Sequence, residues 1–480
     1  MNNEVAYGKV TPEIVAELKA IVGENHTIQE DKEKLKAYGM DTLSLLTGFT
    51  ADPEVAVRPE NTAQVSAVLK LASRYRIPVT ARGAGTGLAG SAIPTCRGIV
   101  LSLERMNRIL EIDPVDRVAV VEAGVITKEL CRRVEAYGLL YAGYPMSTES
   151  SFIGGNVATN AGGAKVIRYG NTRKHILGLE VVLANGEILE LGGRYRKSTW
   201  GYDLMEIIIG SEGTLAVVTK VIVNLIPGGG KTLDLIVPFP DPETAVGAVS
   251  KMIVEGNILP VAVEYMDRLC LTLSAKHHEI TLPFTDREDA QAFLIVQIYG
   301  NTPEELEALY EKAGELLLGN GALDVFAAES RKDAENVWKV REEYSPGLRF
   351  LGKPLYNNPG DVIVPFSKVP EMIRELRRLE EKHHMTIATV GHIADGNLHT
   401  LFVKPDEVPL EAWTDYAKAV YEEMTDIALR LGGVGSGEHG IGLLKKSVFL
   451  RSKSPTEIEI MRGIKKAFDP QGILNPGKIF

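Results

Sequence analysis

Two glycine-rich stretches constrain this chain most. Arg82-Gly83-Ala84-Gly85-Thr86-Gly87-Leu88-Ala89-Gly90 is followed, about seventy residues on, by Ser151-Phe152-Ile153-Gly154-Gly155-Asn156-Val157-Ala158-Thr159-Asn160-Ala161-Gly162-Gly163. Glycine has no Cβ and tolerates positive φ at a cost in chain entropy, so such runs let backbone come close to a ligand. The Asn and Thr side chains add short donors and acceptors beside that backbone. Each stretch by itself also fits a glycine-rich loop with no ligand. The first contains Gly85-x-Gly87-x-x-Gly90 after a short strand-like run, formally the dinucleotide fingerprint, with Glu104 near the spacing of a ribose-binding acid. Pro94, however, falls where the helix of that motif would run, and helix interiors tolerate proline poorly. A single unit of that kind also leaves the second stretch unexplained. Two glycine loops closing on one pyrophosphate as an anion nest account for both.

A chain of 480 residues is too long for one ordinary core, and its 45% apolar and 24% charged residues are those of a soluble globular protein. The net charge of −10 supplies no basic footprint for nucleic acid or an anionic membrane. No run approaches the roughly 18 apolar residues of a membrane span, and MNNEVAYGKV lacks the apolar core of a signal peptide. The expectation is a protein without a membrane span, in the cytoplasm. Cys96, Cys131 and Cys270 form no CxxC, which excludes an internal iron–sulfur site or a disulfide framework and suits a reducing compartment.

In chain order, Thr11-Pro12-Glu13 opens a helix, and residues 1–50 read as a packed helical leader. Residues 51–230 carry strands, helices and both glycine stretches. Leu177–Leu183 and Glu187–Leu191 flank Asn185-Gly186, a strong hairpin signal. Pro227-Gly228-Gly229-Gly230 is the clearest boundary. Beyond it, residues 231–430 alternate β-like and helical runs, as in an α+β sheet domain, and 431–480 form a closing segment. Thr302-Pro303-Glu304-Glu305 and Ser454-Pro455-Thr456-Glu457 both read as capping boxes.

Three of the nine histidines gather in two motifs. In Gly391-His392-Ile393-Ala394-Asp395-Gly396-Asn397-Leu398-His399, a turn at Asp395-Gly396 between two strands would bring the imidazoles together. Gly435-Ser436-Gly437-Glu438-His439-Gly440 adds a carboxylate and a third imidazole. Two His and one carboxylate with open positions suit Zn²⁺, Fe²⁺ or Mn²⁺, although loop histidines are also commonly held by hydrogen bonds alone. Arg341, on a helix carrying Trp338-Lys339-Val340-Arg341-Glu342-Glu343-Tyr344, either forks onto a substrate carboxylate or is a surface arginine paired with a nearby Glu. Tyr344 and Lys353 are further pocket candidates, whereas His277-His278 and His383-His384 read as solvated helix ends.

Pro78-x-x-x-Arg82-Gly-Ala-Gly-Thr-Gly-Leu, Ile153-Gly-Gly-Asn-Val-Ala-Thr-Asn-Ala-Gly-Gly, Gly201-Tyr-Asp-Leu and Gly210-Ser-Glu-Gly-Thr-Leu resemble the FAD-linked oxidase family. That family comprises the vanillyl-alcohol-oxidase and PCMH-type flavoproteins, and the likeness is to its D-lactate dehydrogenase and glycolate oxidase FAD-subunit branch. It runs from about residue 50 to the C-terminus. The resemblance implies an α+β fold: a two-part PCMH-type FAD-binding domain, a sheet-based substrate (cap) domain over 231–430, and a C-terminal segment returning to the flavin. It implies FAD, with Arg82, Gly83, Ala84, Gly85, Thr86, Gly87 and Leu88 and then Gly154, Gly155, Asn156, Ala158, Thr159 and Asn160 around the pyrophosphate. Pro145, Ser147, Glu212 and Gly213 would lie nearer the rest of the cofactor, and Asn475 would touch the flavin. The first loop offers no histidine for a covalent tether, so FAD is expected to be non-covalent. The family's HxGDGNLH and GEHGxG signatures match, with Ala394 where glycine is common. They imply His392, His399 and Glu438 as ligands of a divalent metal and His439 as a base. The expected activity is oxidation of a small D-2-hydroxyacid such as D-lactate or glycolate, with Arg341 on the substrate carboxylate. Electrons would pass to a partner protein, an electron-transferring flavoprotein or an iron–sulfur subunit. A non-catalytic FAD relay subunit and an oxygen-using alcohol oxidase of the same fold are the alternatives.

Overall fold

The structure is a computed structural model that describes residues 6–285, 287–356 and 360–480. It divides into two compact units. The first takes the described residues of Met1–Gly162 together with Asn171–Gly228 and Glu438–Phe480; the second takes those of Gly163–Gly170 and Gly229–Gly437.

In the first unit, Val79–Arg82 and Val55–Val57 both run parallel to Ile99–Ser102, and Thr27–Ile28 adds an antiparallel edge to Val55–Val57. The leader thus contributes a strand as well as helices. Its first helix, Pro12–Val22, is capped by Thr11 and buries Ile14, Val15, Leu18 and Val22. A second, antiparallel sheet has the order Ile109–Asp113, Val118–Glu122, Val217–Asn224, Ile176–Val182, Ile188–Gly192. The hairpin read at Asn185-Gly186 joins its last two strands, with Val182 opposite Ile188 and Gly186 at φ +82°. One core underlies both sheets, and Ile473 and Leu474 from the closing segment are buried in it.

The second unit is an eight-stranded sheet whose long strands are Lys231–Phe239, Ala292–Gly300, Ala262–Asp267, Thr386–His392 and Asn397–Val403. These strands are mostly apolar on both sides because both faces of the sheet are covered, with single polar residues such as Asp234 and Glu264 set among them. Along 293–298 the residues divide alternately. Leu294, Val296 and Ile298 enter one core with helices Pro242–Val254, Val369–His383 and Leu410–Arg430. Phe293 and Ile295 enter another with helices Arg268–His277 and Arg331–Glu342. Ser454–Glu457 forms a closed capping box. Thr302 does not: Thr302 caps Glu305 N–H, but the Glu305 carboxylate turns to Asn301 N–H at 2.8 Å.

Candidate functional site

Strand Val79–Arg82 delivers the first glycine stretch to a cavity of about 330 Å³ within the first unit. The leader holds that stretch in shape. Thr42 N–H donates to the Gly85 carbonyl at 3.0 Å, Leu43 N–H to that of Gly87 at 3.3 Å, and Arg82 Nη1 to the Met40 carbonyl. Gly85 sits at φ +74°, and a Cβ there would meet the Arg82 guanidinium at 2.2 Å.

The second stretch is not a loop throughout: Ile153–Thr159 forms a short helix. The local reason is packing. Gly154 N–H donates to the Ala123 carbonyl at 2.8 Å, and a Cβ on Gly154 would stand 2.6 Å from that of Ala123. Only a bare backbone lets the helix lie that close to the end of strand Val118–Glu122. Asn160 then ends the helix in the left-handed region (φ 50°). The two stretches meet where Gly83 faces Gly155, a Cβ on the former reaching Gly155 Cα at 3.5 Å. Nothing lies within 4 Å of a Cβ on Gly155 or Gly87. The wall between them is backbone, which fits a pyrophosphate-bearing nucleotide.

Arg82, Gly83, Ala84, Gly85, Thr86, Gly87, Leu88, Pro145, Ser147, Gly154, Gly155, Asn156, Ala158, Thr159, Glu212 and Gly213 all line the cavity. Asn160 and Asn475 are not among the lining residues. Asn160 Oδ1 accepts Arg173 N–H at 3.0 Å, and buried Asn475 donates to the carbonyls of Ser91 and Glu212 at 2.9 and 2.7 Å. Both hold walls instead. Glu212 is fully committed as well: its oxygens accept Ile441 N–H (2.7 Å), Gly442 N–H (2.8 Å) and the Ser91 hydroxyl. It therefore anchors the turn that follows His439. Burial pushes its carboxyl pKa up despite those bonds. Glu438 and His439 also line this cavity, with Glu438 Oε1 3.8 Å from His439 Nε2.

In the second unit, register places the histidines. His399 opposes Val390, two residues before His392, so both imidazoles emerge on one face, with ring centroids 5.2 Å apart. Ile393–Asp395 forms a single 3₁₀ turn and Gly396 takes φ +86°. Ala394 is absent from the positive-φ positions, so alanine in place of the commoner glycine carries no strain. Glu264, directly opposite His392 on strand Ala262–Asp267, is wholly buried. Sequence reasoning missed it, although one charge inside Val261-Ala-Val-Glu-Tyr-Met266 was a visible signal. Glu264 Oε1 lies 2.6 Å from His392 Nδ1, and Oε2 lies 2.7 Å from Arg341 Nη2. Arg341 is thus a buried, Glu-paired arginine rather than a surface one. Burial alone would raise the Glu264 carboxyl pKa, but His392 and Arg341 outweigh it and hold it low. His399 Nδ1 faces the Gly360 carbonyl at 3.3 Å. With Nδ1 directed at Glu264 or Gly360, the neutral tautomer that donates from Nδ1 leaves the lone pair of each ring on Nε2, the form a metal requires. Asn397, paired with His392, donates to Asp361 Oδ1 and the Val362 carbonyl, both at 3.0 Å. Gly437 N–H donates to the Asp361 carbonyl at 3.0 Å.

The remaining candidates take structural places. Lys353 pairs with Asp406 at the surface (2.8 Å), and Tyr344 packs against the core under helix Arg331–Glu342. His278 and His383 are partnered rather than solvated: His278 faces the Glu343 carbonyl, and His383 faces Tyr416 and Glu423.

Comparison with known proteins finds two family matches, the second of which runs from the second unit into the closing segment of the first. An FAD binding domain matches residues 53–192, and the C-terminal domain of FAD linked oxidases matches residues 234–479. The chain belongs to the FAD-linked oxidases. The D-lactate dehydrogenase of Archaeoglobus fulgidus is 38% identical over 446 residues, covering 92% of this chain and 95% of that one. The glycolate oxidase subunit GlcD of Bacillus subtilis is 36% identical, covering 90% of each. The D-2-hydroxyglutarate dehydrogenase of Stutzerimonas stutzeri is 32% identical, covering 98% and 99%. Among solved structures, p-cresol methylhydroxylase shares the fold of this FAD-linked oxidase, with a TM-score of 0.77 at 20% identity over 97% of this chain and 96% of that one. The fold is thus the α+β, PCMH-type architecture. No described helix is long and apolar enough to cross a membrane.

Proposed function

We propose that this FAD-linked oxidase is a D-2-hydroxyacid dehydrogenase of the D-lactate or glycolate type. The observation that carries the reading is the pair His392 and His399, ring centroids 5.2 Å apart, each with Nδ1 turned to an acceptor (Glu264 Oε1 and the Gly360 carbonyl), with Arg341 paired to the same Glu264. Gly437, bonded to Asp361 in the same unit, is followed in the chain by Glu438 and His439, which line the nucleotide cavity of the first unit. The relatives' names support the substrate class.

His392, His399 and Glu438 would hold a divalent metal, Zn, Fe or Mn, which supplies Lewis-acid chemistry to a substrate hydroxyl. FAD, held non-covalently between the two glycine stretches, supplies the two-electron acceptor chemistry. Arg341 anchors the substrate carboxylate: its guanidinium has five N–H donors, more than Glu264 takes. His439, in its neutral form, would take the hydroxyl proton on a ring nitrogen, the general-base role that an imidazole commonly serves. The electrons then leave to a partner protein, an electron-transferring flavoprotein or an iron–sulfur subunit.

Anaerobic mixing with a D-/L-hydroxyacid panel tests this. The wild type bleaches with a D-hydroxyacid, while His439→Ala and His392→Ala keep FAD and lose bleaching by at least about 100-fold, the scale of a general-base step. Unchanged bleaching in either variant rejects its role, and a wild type inert to every hydroxyacid rejects the whole reading.

A further inference from the structure

Glu264 has no chemical role in the scheme above, yet with Asp361 it is one of two wholly inaccessible carboxylates in the described polar cluster of the second unit. It is wholly inaccessible in a strand where all six residues are buried, on the face that carries Ile295 and Val390. Nothing in the packing of that strand requires a carboxylate, and an unpaired one there would be very costly. Each oxygen has one partner from a different element: Oε1 accepts from His392 Nδ1 at the end of strand Thr386–His392, and Oε2 forms a 2.7 Å ion pair with Arg341 Nη2 near the end of helix Arg331–Glu342. A glutamine could satisfy one of these partners, but it could not hold both a donor imidazole and a guanidinium.

We infer that Glu264 is a positioning residue that couples the two halves of substrate recognition. Through Oε1 it fixes His392 as the Nδ1–H tautomer and so keeps Nε2 for a metal; through Oε2 it sets the place of Arg341. One carboxylate then fixes the spacing between the point that receives a substrate hydroxyl and the point that receives its carboxylate. Because both points hang on one side chain, that spacing is short and invariant. It selects acids with the hydroxyl on the carbon next to the carboxylate over acids with the hydroxyl one carbon further out. The inference rests on the metal-dependent hydroxyacid reading above.

The test uses full-length, FAD-loaded protein stripped with a chelator and titrated with Zn²⁺ against a chromophoric competitor. Glu264→Gln is expected to keep FAD and to lose about 10–100-fold in Zn²⁺ affinity, the range for removing an outer partner of a metal-bound histidine. Its discrimination between 2- and 3-hydroxyacids, read as the ratio of kcat/KM, falls as well. A purely structural role, neutralising Arg341, makes a different prediction. The double variant Glu264→Gln/Arg341→Met would then recover both melting temperature and Zn²⁺ affinity. Positioning predicts that melting temperature recovers while Zn²⁺ affinity stays low. If Glu264→Gln does not fold, Glu264→Asp keeps the charge with a shorter reach and must show the same loss of affinity. Wild-type Zn²⁺ affinity in Glu264→Gln or Glu264→Asp, with wild-type protein that binds Zn²⁺ and is bleached by a 2-hydroxyacid, overturns the role of Glu264 alone. A wild type that binds no Zn²⁺ overturns this inference together with the reading beneath it.

Discussion

Glu212→Gln perturbs the joint between the nucleotide cavity and the turn behind His439. In the native chain the Glu212 oxygens accept Ile441 N–H at 2.7 Å and Gly442 N–H at 2.8 Å, with the Ser91 hydroxyl as a third donor. An amide keeps one acceptor and turns an NH₂ toward a donor. One charge-assisted bond, about 1.5–3 kcal/mol, is lost, and an N–H is stranded at about 1–3 kcal/mol. Removing a buried charge offsets part of this, since burial dominates the environment of the carboxyl. The net expectation is about 2 kcal/mol at pH 5, or roughly 30-fold in a local opening equilibrium. Hydrogen exchange of the Ile441 and Gly442 amides reads that opening directly.

The pH dependence has a definite sign. A carboxyl whose folded pKa is raised keeps its proton in the folded state while the unfolded chain has released it. Stability therefore falls as pH rises from the usual carboxylate range through the folded pKa. Wild-type stability should decline across that window, while Glu212→Gln should lack this component, so the deficit of the variant narrows at higher pH. Equal exchange rates in both proteins at every pH would refute the reasoning, as would a deficit that widens with pH.

Two other positions give independent checks. Gly396→Ala puts a Cβ 1.9 Å from the Val364 carbonyl oxygen at φ +86°. At least about 1–2 kcal/mol of left-handed strain, plus the clash, should distort the turn joining the histidine strands and abolish Zn²⁺ binding in a chelator competition while FAD absorbance stays. Lys478 is buried, donating to the Ile93 carbonyl at 2.6 Å, and burial pushes its pKa down to about 8. Between that value and the ordinary lysine value of about 10.4, the unfolded chain binds the extra proton, so wild-type stability should rise with pH, and Lys478→Met should remove the rise in thermal melts.

What could be read from the residues was whatever rests on local chemistry. Thr11 and Ser454 cap helices by side-chain bonds to nearby N–H groups, and Asn185-Gly186 turns a hairpin, because each outcome is settled within a few residues. The apolar runs of 233–239 and 293–299 were legible as strands for the same reason. The short helix Ile153–Thr159 was not, because its cause lies at Ala123, thirty positions away and invisible to any local pattern. Asn160, Glu212 and Asn475 were read toward the cofactor from the resemblance. Glu212 lines the cavity and also holds the turn at Ile441 and Gly442, whereas Asn160 and Asn475 lie off its lining, with side chains bonded to Arg173 and to the carbonyls of Ser91 and Glu212. Proximity to a ligand site and contact with a ligand look alike in a motif, and only the partner atoms separate them.

Carboxylates in strands sharpen that distinction. Glu122, Glu180, Asp234 and Glu264 each interrupt an apolar run. Glu122 is held by Arg108 (2.6 Å), a neighbour across a bulged pair of strands whose side chain is largely exposed. Glu180 is held by Thr62, Thr219 and Lys220, and Asp234 by the Gln297 amide and the Trp338 indole, none of them a group suited to acid–base or metal chemistry here. These three tie sheets and helices together, and an amide or aliphatic replacement with adjusted partners could serve. Glu264 alone is held by an imidazole and a guanidinium that are themselves buried, at 3% exposure each. Three ionisable groups brought out of water together cost stability that packing alone would recover more cheaply. A chemical role would account for their retention, which supports the proposed placing of the substrate-facing chemistry of this FAD-linked oxidase's second unit at Glu264, His392 and Arg341.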